Sequence, residues 1–392
     1  LSQAPRQSGL PGKGSAMTSK IARYLAANDV ATPALVVDLD RVAANFSAIK
    51  AAMPHAAVYY AVKANPAPQI LRQLAGLGSN FDAASIEEIE DCLAAGAAPA
   101  AISFGNTVKK ASAIARAHAH GVPMFAFDSA EEAEKIAKHA PGAQVYCRIA
   151  VDNAGADWPL SRKFGCEIDS ARRHMLYAAE LGLQPIGLSF HVGSQQTGTA
   201  AYEAAIAKVA MLFTDLKDRG LKMRMLNLGG GFPIRYRDEV PGIDEFGRAI
   251  GHALAKAFGN AIPDTLVEPG RFLVGDAGVL ASEVVLVSRR NDDDAVRWGY
   301  LDIGRFGGLA ETEGEAIRYR ISTTHDGSPQ GPVVIAGPSC DGTDVMYDKA
   351  NYRLPMALAS GDRVLLHGTG AYVTSYASQF FNGFRPPAEH YI

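Results

Sequence analysis

The sequence lacks the features that mark several classes of protein. Its 392 residues contain only four cysteines without C-x-x-C spacing, so neither a zinc site nor a disulfide framework is predicted. Lysine and arginine number 38 against 41 acidic residues, which leaves no basic excess for binding nucleic acid. No apolar run is long enough to span a bilayer. We therefore expect a cytoplasmic protein with neither nucleic-acid nor membrane partners.

The composition is that of an ordinary globular chain, with 48% hydrophobic and 20% charged residues, and its length suggests two or three domains. Residues 1–16 are rich in Gly, Pro, Ser and Gln and precede Met17. We expect them to be an expression remnant or a disordered leader outside the fold. No internal repeat or low-complexity linker divides the remainder.

Apolar strands alternate with Ala-rich amphipathic helices through most of the chain. Eight strands are predicted, at residues 58–62, 80–83, 101–104, 124–127, 144–150, 185–192, 223–228 and 265–268. Eight βα units imply a closed (β/α)8 barrel within residues 17–275. A doubly wound open sheet is the alternative, disfavoured because no G-x-G-x-x-G opens the first unit. A strand at 34–38 precedes a helix that Asp40 could cap, and both the barrel and the next domain are open as its location.

Residues 276–392 have a different pattern. Five predicted strands follow one another without helices between them, at 284–287, 300–303, 318–321, 333–335 and 364–366. This pattern predicts a C-terminal β domain, either a sandwich or a small barrel.

Lys63 ends the apolar run that forms the first barrel strand and is followed by Asn65-Pro66. An unpaired buried ammonium is expensive, and a covalent bond to a carbonyl cofactor would remove its charge. The alternative is a lysine that extends its ammonium into solvent from the end of the strand.

Other polar residues follow the remaining strands, where a (β/α)8 barrel places its chemistry. They are Asp82, Asn106, Asp128, Arg148, His191, the triplet Gly229-Gly230-Gly231, and Glu268 with Gly270-Arg271. A ring of polar strand ends with charges of both signs is difficult to explain by core packing. The sequence therefore predicts an active site at this end of the barrel.

The glycine triplet lets a ligand approach the backbone closely, and with Arg271 it favours a phosphate site, to which Ser194 could also bond. A flexible turn is the alternative. A carboxylate at Glu268 could pair with the ring nitrogen of pyridoxal phosphate, with Arg148 holding it ionised or merely closing the barrel. His191 has no H-E-x-x-H partner, so stacking on a cofactor ring, or a structural role, is favoured over a metal site.

The second domain carries a loop with a thiol and two carboxylates, Gly337-Pro338-Ser339-Cys340-Asp341-Gly342-Thr343-Asp344. Turn chemistry explains Asp next to Gly, and a free cysteine is most often a small buried hydrophobe. In Gly368-Thr369-Gly370-Ala371-Tyr372, the glycines would let the backbone or the Tyr372 hydroxyl approach a ligand. Phe384 is a candidate for the substrate site, although core packing is commoner for an aromatic residue.

Seven motifs occur in one order: Y-A-V-K-A-N, F-D-A-A-S, H-V-G-S-Q, N-L-G-G-G-F-P, E-P-G-R, G-P-S-C-D-G-T-D and G-T-G-A-Y. They are distributed along nearly all of the chain after Met17. The chain resembles the fold-type III pyridoxal-phosphate decarboxylases of the ornithine, lysine and diaminopimelate group. That family has a (β/α)8 barrel and a C-terminal β domain.

The resemblance implies roles for individual residues. Lys63 resembles the lysine that bonds to the cofactor, His191 stacks on its ring, Glu268 meets its ring nitrogen and Arg148 supports Glu268. The implied phosphate binders are Ser194, Gly230, Gly231, Gly270, Arg271 and Tyr372. Asp82 and Glu88 match acidic residues near the lysine. Cys340 resembles the proton donor and Asp341 the group that binds the distal amine. The resemblance also implies a homodimer in which the Cys340 loop completes the partner subunit's site.

The loop sequence Cys340-Asp341-Gly342 suits a terminal ammonium, which favours ornithine or lysine over diaminopimelate as the substrate. The chain lacks the Tyr-Asp pair of eukaryotic ornithine decarboxylases after the predicted strand at 300–303 and resembles the bacterial lysine/ornithine subgroup. Glu311 and Glu313 are therefore only candidates for the second amine contact. The expected reaction is decarboxylation of L-ornithine, and of L-lysine, to putrescine and cadaverine in polyamine biosynthesis. The alternatives are a diaminopimelate decarboxylase, a racemase on the same fold, and an inactive regulatory homologue.

Overall fold

A computed structural model describes residues 17–159 and 163–392, so the leader expected at residues 1–16 lies outside the described residues. The chain forms two compact units. The β-rich unit contains residues 17–41, Arg235–Glu239 and Val274–Ile392, and the barrel unit contains the described parts of Val42–Ile234 together with Val240–Leu273.

The strands are, in chain order, β1 (Ala34–Val37), β2 (Ala56–Ala61), β3 (Asn80–Ala83), β4 (Ile102–Phe104), β5 (Met124–Phe127), β6 (Gln144–Arg148), β7 (Ala156–Trp158), β8 (Gln184–Ser189), β9 (Ser194–Gln196), β10 (Met225–Asn227), β11 (Asp264–Val267), β12 (Gly278–Ser288), β13 (Arg297–Leu301), β14 (Arg320–Thr323), β15 (Gln330–Ala336), β16 (Val345–Tyr347), β17 (Arg353–Pro355), β18 (Arg363–His367) and β19 (Ala388–Tyr391). The α-helices are α1 (Ser19–Ala27), α2 (Leu39–Ala52), α3 (Pro68–Gly76), α4 (Ile86–Ala94), α5 (Ala111–Ala119), α6 (Ala130–His139), α7 (Ile168–Glu180), α8 (Ala200–Asp218), α9 (Ile243–Phe258) and α10 (Arg271–Val274).

The barrel unit is a closed ring of parallel strands in the order β2-β3-β4-β5-β6-β8-β10-β11, and β11 returns to β2 through the pair Thr265–Ala56. These are the eight strands that the sequence predicts, so the expected (β/α)8 barrel is confirmed. The small antiparallel pair of β7 and β9 was not predicted. Each of these two strands has only three residues, too few for a periodic pattern to emerge.

Large side chains fill the barrel, which makes it a packed core. Tyr59, Met124, Tyr146, Met225 and Leu266 are all buried there. The Tyr146 hydroxyl lies 2.8 Å from the Ser103 hydroxyl, which satisfies both groups inside the barrel. The polar chemistry is consequently restricted to the strand ends.

Local capping sets where the helices begin. Ser85 and Ser129 each accept a hydrogen bond from the backbone N–H of a glutamate three residues later, at 3.2 Å, which starts α4 and α6. Helix α2 differs from the expected cap. Its capping bond runs from the Asp40 backbone N–H to the Asp38 carboxylate at 3.0 Å, because the helix begins at Leu39 and Asp40 already lies in its first turn.

The β-rich unit is a nine-stranded mixed sheet built around β12. The first half of β12 pairs with β1 and β18, and its second half pairs with β13 after a register shift between Val284 and Leu286. A shift of this kind bends a strand, so one long strand can serve both parts of the sheet. The predicted β-rich fold is confirmed. Three unpredicted strands, β16, β17 and β19, are only three or four residues long.

Candidate active site

Lys63 lies just beyond β2, in a single 3₁₀ turn formed by Val62–Ala64. Asn65 fixes this turn, because its backbone carbonyl accepts a 2.8 Å bond from the Tyr60 hydroxyl and its side chain accepts one of 3.1 Å from Ala67. Val62 and Ala64 are buried, whereas the Lys63 side chain is exposed. The sequence suggested a lysine buried together with its strand. The structure differs, because the strand ends two residues before Lys63 and the side chain is exposed.

Asp82 is the most strongly perturbed acid near Lys63. Burial and the charge of Glu268 hold the pKa of Asp82 well above its usual range, although Lys63 acts in the opposite direction. Its Oδ1 atom is buried without a hydrogen-bond partner in the described structure. A Cβ at Gly105 would lie 1.8 Å from that oxygen, so the carboxyl group requires glycine at the end of the neighbouring strand. Asp82 is thereby positioned to hold a proton.

Glu88 forms part of the same charged group. Its carboxylate accepts a 2.6 Å bond from the Ala84 backbone N–H, and burial raises its pKa while that bond and the charge of Lys63 lower it. Lys63 therefore interacts with two acids whose pKa values are raised by burial. Such a setting is more typical of a functional site than of a surface lysine.

Arg148, at the end of β6, is the second cation of the barrel mouth. Burial lowers its pKa, and the charges of Glu268, Asp128 and Asp82 oppose that effect. Its guanidinium carbon lies 4.9 Å from the centroid of the Phe164 ring. Gly165, the residue after Phe164, donates its backbone N–H to the Asp128 carboxylate at 2.8 Å.

Glu268 is oriented by Asn227, a residue to which the sequence analysis assigned no role. The Asn227 side-chain amide donates a short hydrogen bond to Glu268, and its oxygen accepts one of 2.9 Å from the Gly229 N–H. Asn227 is 1% exposed and therefore joins the carboxylate rigidly to the glycine triplet. Its place in the N-L-G-G-G-F-P motif, two residues before the first glycine, was the available signal.

His191 is a neutral ring in this structure. Burial, with the charges of Arg148 and Lys63, holds its pKa well below the usual range. Its Nδ1 accepts a 3.0 Å hydrogen bond from the Gly193 N–H, which places the ring proton on Nε2. A Cβ on Gly230 would stand 3.3 Å from Nε2. The residue thus offers a flat, uncharged surface at the barrel mouth.

The glycine triplet and Arg271 form a cradle suited to an anion. Gly229 and Gly231 have φ values of +68° and +107°, and a Cβ on Gly231 would lie 2.5 Å from the Gly193 carbonyl oxygen. Arg271, which follows Gly270, is 3% exposed and donates a 3.0 Å bond from Nη2 to the Ser194 hydroxyl. The cradle has a buried cation and glycines that no larger residue can replace, as phosphate binding requires.

Gln195, the last residue of the H-V-G-S-Q motif, stabilises this loop, although the motif predicted no role for it. It is buried with a φ of +54°, an unusual conformation for a residue with a side chain. Its side-chain nitrogen donates a 2.6 Å bond to the Ile234 carbonyl, and its oxygen accepts one of 3.1 Å from the Ile234 N–H. The strained backbone is thus held by two hydrogen bonds beyond the glycine triplet.

Asn106, another of the strand-end residues, has a structural role in this arrangement. Its side-chain amide donates to the Ala84 carbonyl at 3.2 Å, and its backbone carbonyl accepts a 2.8 Å bond from the Lys109 ammonium. Lys109 is buried in an ion pair of 2.9 Å with Glu132, and burial lowers its pKa to about 8. This pair was missed because neither residue lies at a strand end.

In the β-rich unit, Asp344 organises the loop that carries Cys340 and Asp341. The buried Asp344 carboxylate accepts bonds from the Arg305 N–H at 2.8 Å, the Ser339 N–H at 3.1 Å and the Ser339 hydroxyl at 2.6 Å. A Cβ on Gly304 or Gly337 would lie within 2.4 Å of the same carboxylate, which explains both glycines. The loop is therefore built around its last residue.

Cys340 is exposed, so the alternative of a buried hydrophobe is wrong, and its backbone N–H donates a 2.9 Å bond to the Asn382 side chain. Hydrogen bonds from Thr343, and the charge of Arg305, lower the pKa of Asp341. The Asp341 carboxylate is consequently charged at neutral pH, as binding of a cation requires.

The other candidates of this unit lie in different settings. Tyr372 has a φ of +56°, which for a bulky residue is strained and typical of a functional position. Phe384 is 45% exposed, so the core-packing alternative is wrong. Glu311 is buried, and Glu313 forms an ion pair with Arg305.

The barrel unit therefore brings together Lys63, Asp82, Arg148, His191, Ser194, Gly230, Gly231, Glu268, Gly270 and Arg271, while Tyr372, Cys340, Asp341, Glu311 and Phe384 belong to the β-rich unit. The barrel set fits pyridoxal phosphate: an accessible amine, a fixed carboxylate, a neutral ring and an anion cradle. Within residues 17–159 and 163–392, no cluster of three potential metal-ligating His, Cys, Asp or Glu residues is found. The same residues include no helix long and apolar enough to cross a membrane.

Comparison with known proteins agrees with this chemistry. The lysine/ornithine decarboxylase of Selenomonas ruminantium is 38% identical over 360 residues, covering 91% of this chain and 89% of that protein. Antizyme inhibitor 2 of Xenopus laevis is 33% identical over 369 residues, covering 91% and 80%. The crystal structure of the Selenomonas ruminantium lysine decarboxylase (SrLDC) in complex with pyridoxal phosphate (PLP) and cadaverine gives a TM-score of 0.85 at 34% identity. The match covers 95% of this chain and 93% of that chain.

The family model described as the pyridoxal-binding domain of pyridoxal-dependent decarboxylases matches residues 39–275, more than half of the chain. Its extent includes every barrel residue of the candidate site, from Lys63 to Arg271. The cofactor is pyridoxal phosphate. The chain belongs to the family of pyridoxal-dependent decarboxylases.

Proposed function

We propose that this protein decarboxylates L-ornithine and L-lysine, releasing CO2 and the diamines putrescine and cadaverine. The observation that carries the proposal is the barrel mouth, where Lys63 and the Asn227-bound Glu268 accompany a phosphate-type cradle. The named relative from Selenomonas ruminantium supports the choice of substrates. The chain contains both the lysine that would bond to the cofactor and the fixed carboxylate that would meet its ring nitrogen. Their joint presence disfavours an inactive regulatory homologue.

Pyridoxal phosphate, when bound, supplies a carbonyl carbon for the substrate amine and an electron sink for the electrons left by the departing carboxylate. Lys63 would hold the cofactor through its side-chain amine. Glu268 would keep the ring nitrogen protonated, and its own orientation comes from Asn227. Arg271, Ser194 and the glycine loop would hold the phosphate. His191, whose pKa lies well below its usual range, would stack on the ring without adding a charge.

The β-rich unit is proposed to supply the residues that meet the substrate. Cys340 gives a proton to the α-carbon after CO2 has left, and Asp341 holds the distal ammonium. Tyr372 contributes to the phosphate site, with Glu311 and Phe384 in the substrate site. Ornithine and lysine differ by one methylene, which a binding site discriminates by only about 1–3 kcal/mol. We therefore infer activity on both.

We propose a homodimer whose subunits share active sites. Support comes from a run of exposed aromatic side chains near the C-terminus, which solvent disfavours. They are Tyr376 (49% exposed), Phe380 (62%), Phe381 (38%) and Phe384 (45%).

A cytoplasmic location remains a prediction, consistent with four free cysteines. The domain boundary near residue 275 is likewise proposed, and limited proteolysis tests it.

The test is release of labelled CO2 from carboxyl-labelled L-ornithine, L-lysine and diaminopimelate by the purified holoenzyme. We expect release from ornithine and lysine, with kcat/KM values within about 200-fold of each other. Release from diaminopimelate alone would overturn the substrate assignment. Conversion of the L-amino acids to their D-forms without CO2 would instead identify a racemase.

A further inference from the structure

Two of the four cysteines lie side by side next to the cofactor site. The Sγ atoms of Cys147 and Cys166 are 3.6 Å apart, although 19 residues separate them in the chain. Cys147 is buried on β6, immediately before Arg148, whereas Cys166 is partly exposed. Contact with the Cys166 thiol, together with burial, holds the pKa of Cys147 well above its usual range.

Backbone hydrogen bonds keep the two thiols together. The Cys166 N–H donates to the Arg148 carbonyl at 3.0 Å, and the Ala150 N–H donates to the Cys166 carbonyl at 2.9 Å. These bonds form an isolated parallel bridge between Ile149 and Cys166. The backbone therefore keeps the two cysteines next to each other.

The segment that carries Cys166 also contacts the site. Phe164 stacks on the Arg148 guanidinium at 4.9 Å, and Gly165 donates its N–H to Asp128. A Cβ on Gly165 would lie 2.7 Å from the Ala150 backbone nitrogen, so this segment packs tightly on the residues after β6. The segment already bonds to the backbone of Arg148 and Ala150. A covalent link from Cys166 to Cys147 would add an attachment to the residue before Arg148.

We propose that Cys147 and Cys166 form a reversible disulfide under peroxide, and that this bond fastens residues 163–166 to β6 beside Arg148. Formation of the bond requires the sulfur atoms to approach from 3.6 Å to about 2.05 Å. The inference concerns a covalent modification site and does not depend on which amino acid the enzyme decarboxylates.

The chemistry needs hydrogen peroxide as the oxidant and begins at the accessible thiol. The Cys166 sulfur attacks peroxide, the O–O bond breaks, and a sulfenic acid and water are formed. The Cys147 sulfur then attacks the Cys166 sulfur, and the S–O bond breaks. The hydroxide that leaves takes the Cys147 proton as water, so two thiols and one peroxide give one disulfide and two waters.

The experiment treats the holoenzyme with one equivalent of hydrogen peroxide, blocks the remaining thiols, and maps the peptides by mass spectrometry. We expect a linked Cys147–Cys166 peptide that lacks two hydrogen atoms and separates on addition of dithiothreitol. Thiols titrated in denaturant should fall from four to two. Amide hydrogen exchange at residues 163–166 should slow about tenfold or more on oxidation, because the segment can then open only together with β6.

The variants Cys147→Ser and Cys166→Ser should each lose the linked peptide and the slowed exchange. Cys92→Ser, which changes a buried cysteine outside the pair, is the matched control and should keep both. Separate blocking or over-oxidation of Cys166, or a disulfide through Cys340, would overturn the proposal. Formation of the expected link with unchanged exchange would also overturn it, because the segment would not be fastened.

Discussion

The barrel unit and the β-rich unit prepare their functional residues in opposite ways. At the barrel mouth, burial and neighbouring charges determine the behaviour of the side chains, raising the pKa of Asp82 and lowering that of His191. In the β-rich unit, Cys340 is exposed and Asp341 is partly exposed, and hydrogen bonds position both: Cys340 bonds to Asn382, and Thr343 of the same loop bonds to Asp341.

The difference follows from what each unit is proposed to bind. A resident cofactor benefits from a rigid, partly dehydrated site in which charges interact strongly. A substrate that enters and leaves needs residues that solvent can reach, held by a scaffold behind them. Asp344 is that scaffold, as Asn227 is for the barrel. Changes in the barrel should therefore affect the cofactor first, and changes in the loop should affect the substrate first.

The largest effect is expected from Lys63→Ala. Without the amine the cofactor loses its covalent attachment, so both turnover and the visible absorbance of the bound cofactor should disappear. The absorbance spectrum and the rate of CO2 release are the measurements. Lys110→Ala, at an exposed lysine on the same unit, is the control and should keep both. An active, yellow Lys63→Ala enzyme would show that the assignment is wrong.

Cys340→Ala should separate catalysis from cofactor binding. Loss of a general acid typically costs about 10²–10⁴-fold in rate. We expect diamine formation to fall by at least about 100-fold, while the cofactor absorbance and affinity remain those of the wild type. A parallel loss of cofactor would contradict the division of roles between the units.

Asp344→Asn should affect the substrate through the loop. The carboxylate has three donors, from Arg305 and Ser339, and an asparagine would face at least one of them with its own amide hydrogens. A mispaired buried group of this kind costs about 1–3 kcal/mol. We expect KM for ornithine to rise about tenfold, with unchanged cofactor affinity. Denaturant unfolding with Asp348→Asn as the exposed control separates a local effect from general destabilisation.

Asn227→Asp should weaken the cofactor site without affecting the loop. Aspartate removes the donor to Glu268 and places a second carboxylate beside it. Cofactor affinity should fall about tenfold, corresponding to about 1.4 kcal/mol, as measured by equilibrium binding to the apoenzyme. Asn227→Ala removes the donor without adding a charge, so it should lose less. An equal loss in both variants would mean that the added charge has no effect.

The smallest effect is expected from Thr343→Val. The threonine hydroxyl and backbone N–H both bond the Asp341 carboxylate and lower its pKa, so that it stays charged to more acidic pH. Without the hydroxyl the pKa rises, and KM for ornithine should increase as pH falls through the raised pKa. Because the group is exposed, we expect a change of about two- to threefold. At neutral pH, KM should be unchanged, which a pH series will check.

Much of the barrel could be predicted because periodic apolar strands and Ala-rich helices alternate regularly. Strand ends then indicated Lys63, Asp82 and Glu268. Asn227 and Asp344 were missed as supporting residues, since asparagine and aspartate near glycine are equally typical of turns. Phe384 shows the limit of residue type alone: an aromatic side chain predicts burial, but its position in the terminal segment leaves it 45% exposed.

The sequence by itself determined the (β/α)8 barrel, the β-rich second unit and the residue types at the barrel mouth, because periodicity and turn chemistry are local properties of the chain. Only the tertiary structure decided which of those residues are buried, protonated or strained, since burial and charge depend on neighbours distant in sequence. The pairs Asn227–Glu268 and Cys147–Cys166 are examples, separated by 41 and 19 residues. The first contact exists because the parallel strands β10 and β11 end side by side, and the second because the segment before α7 bonds to the residues after β6.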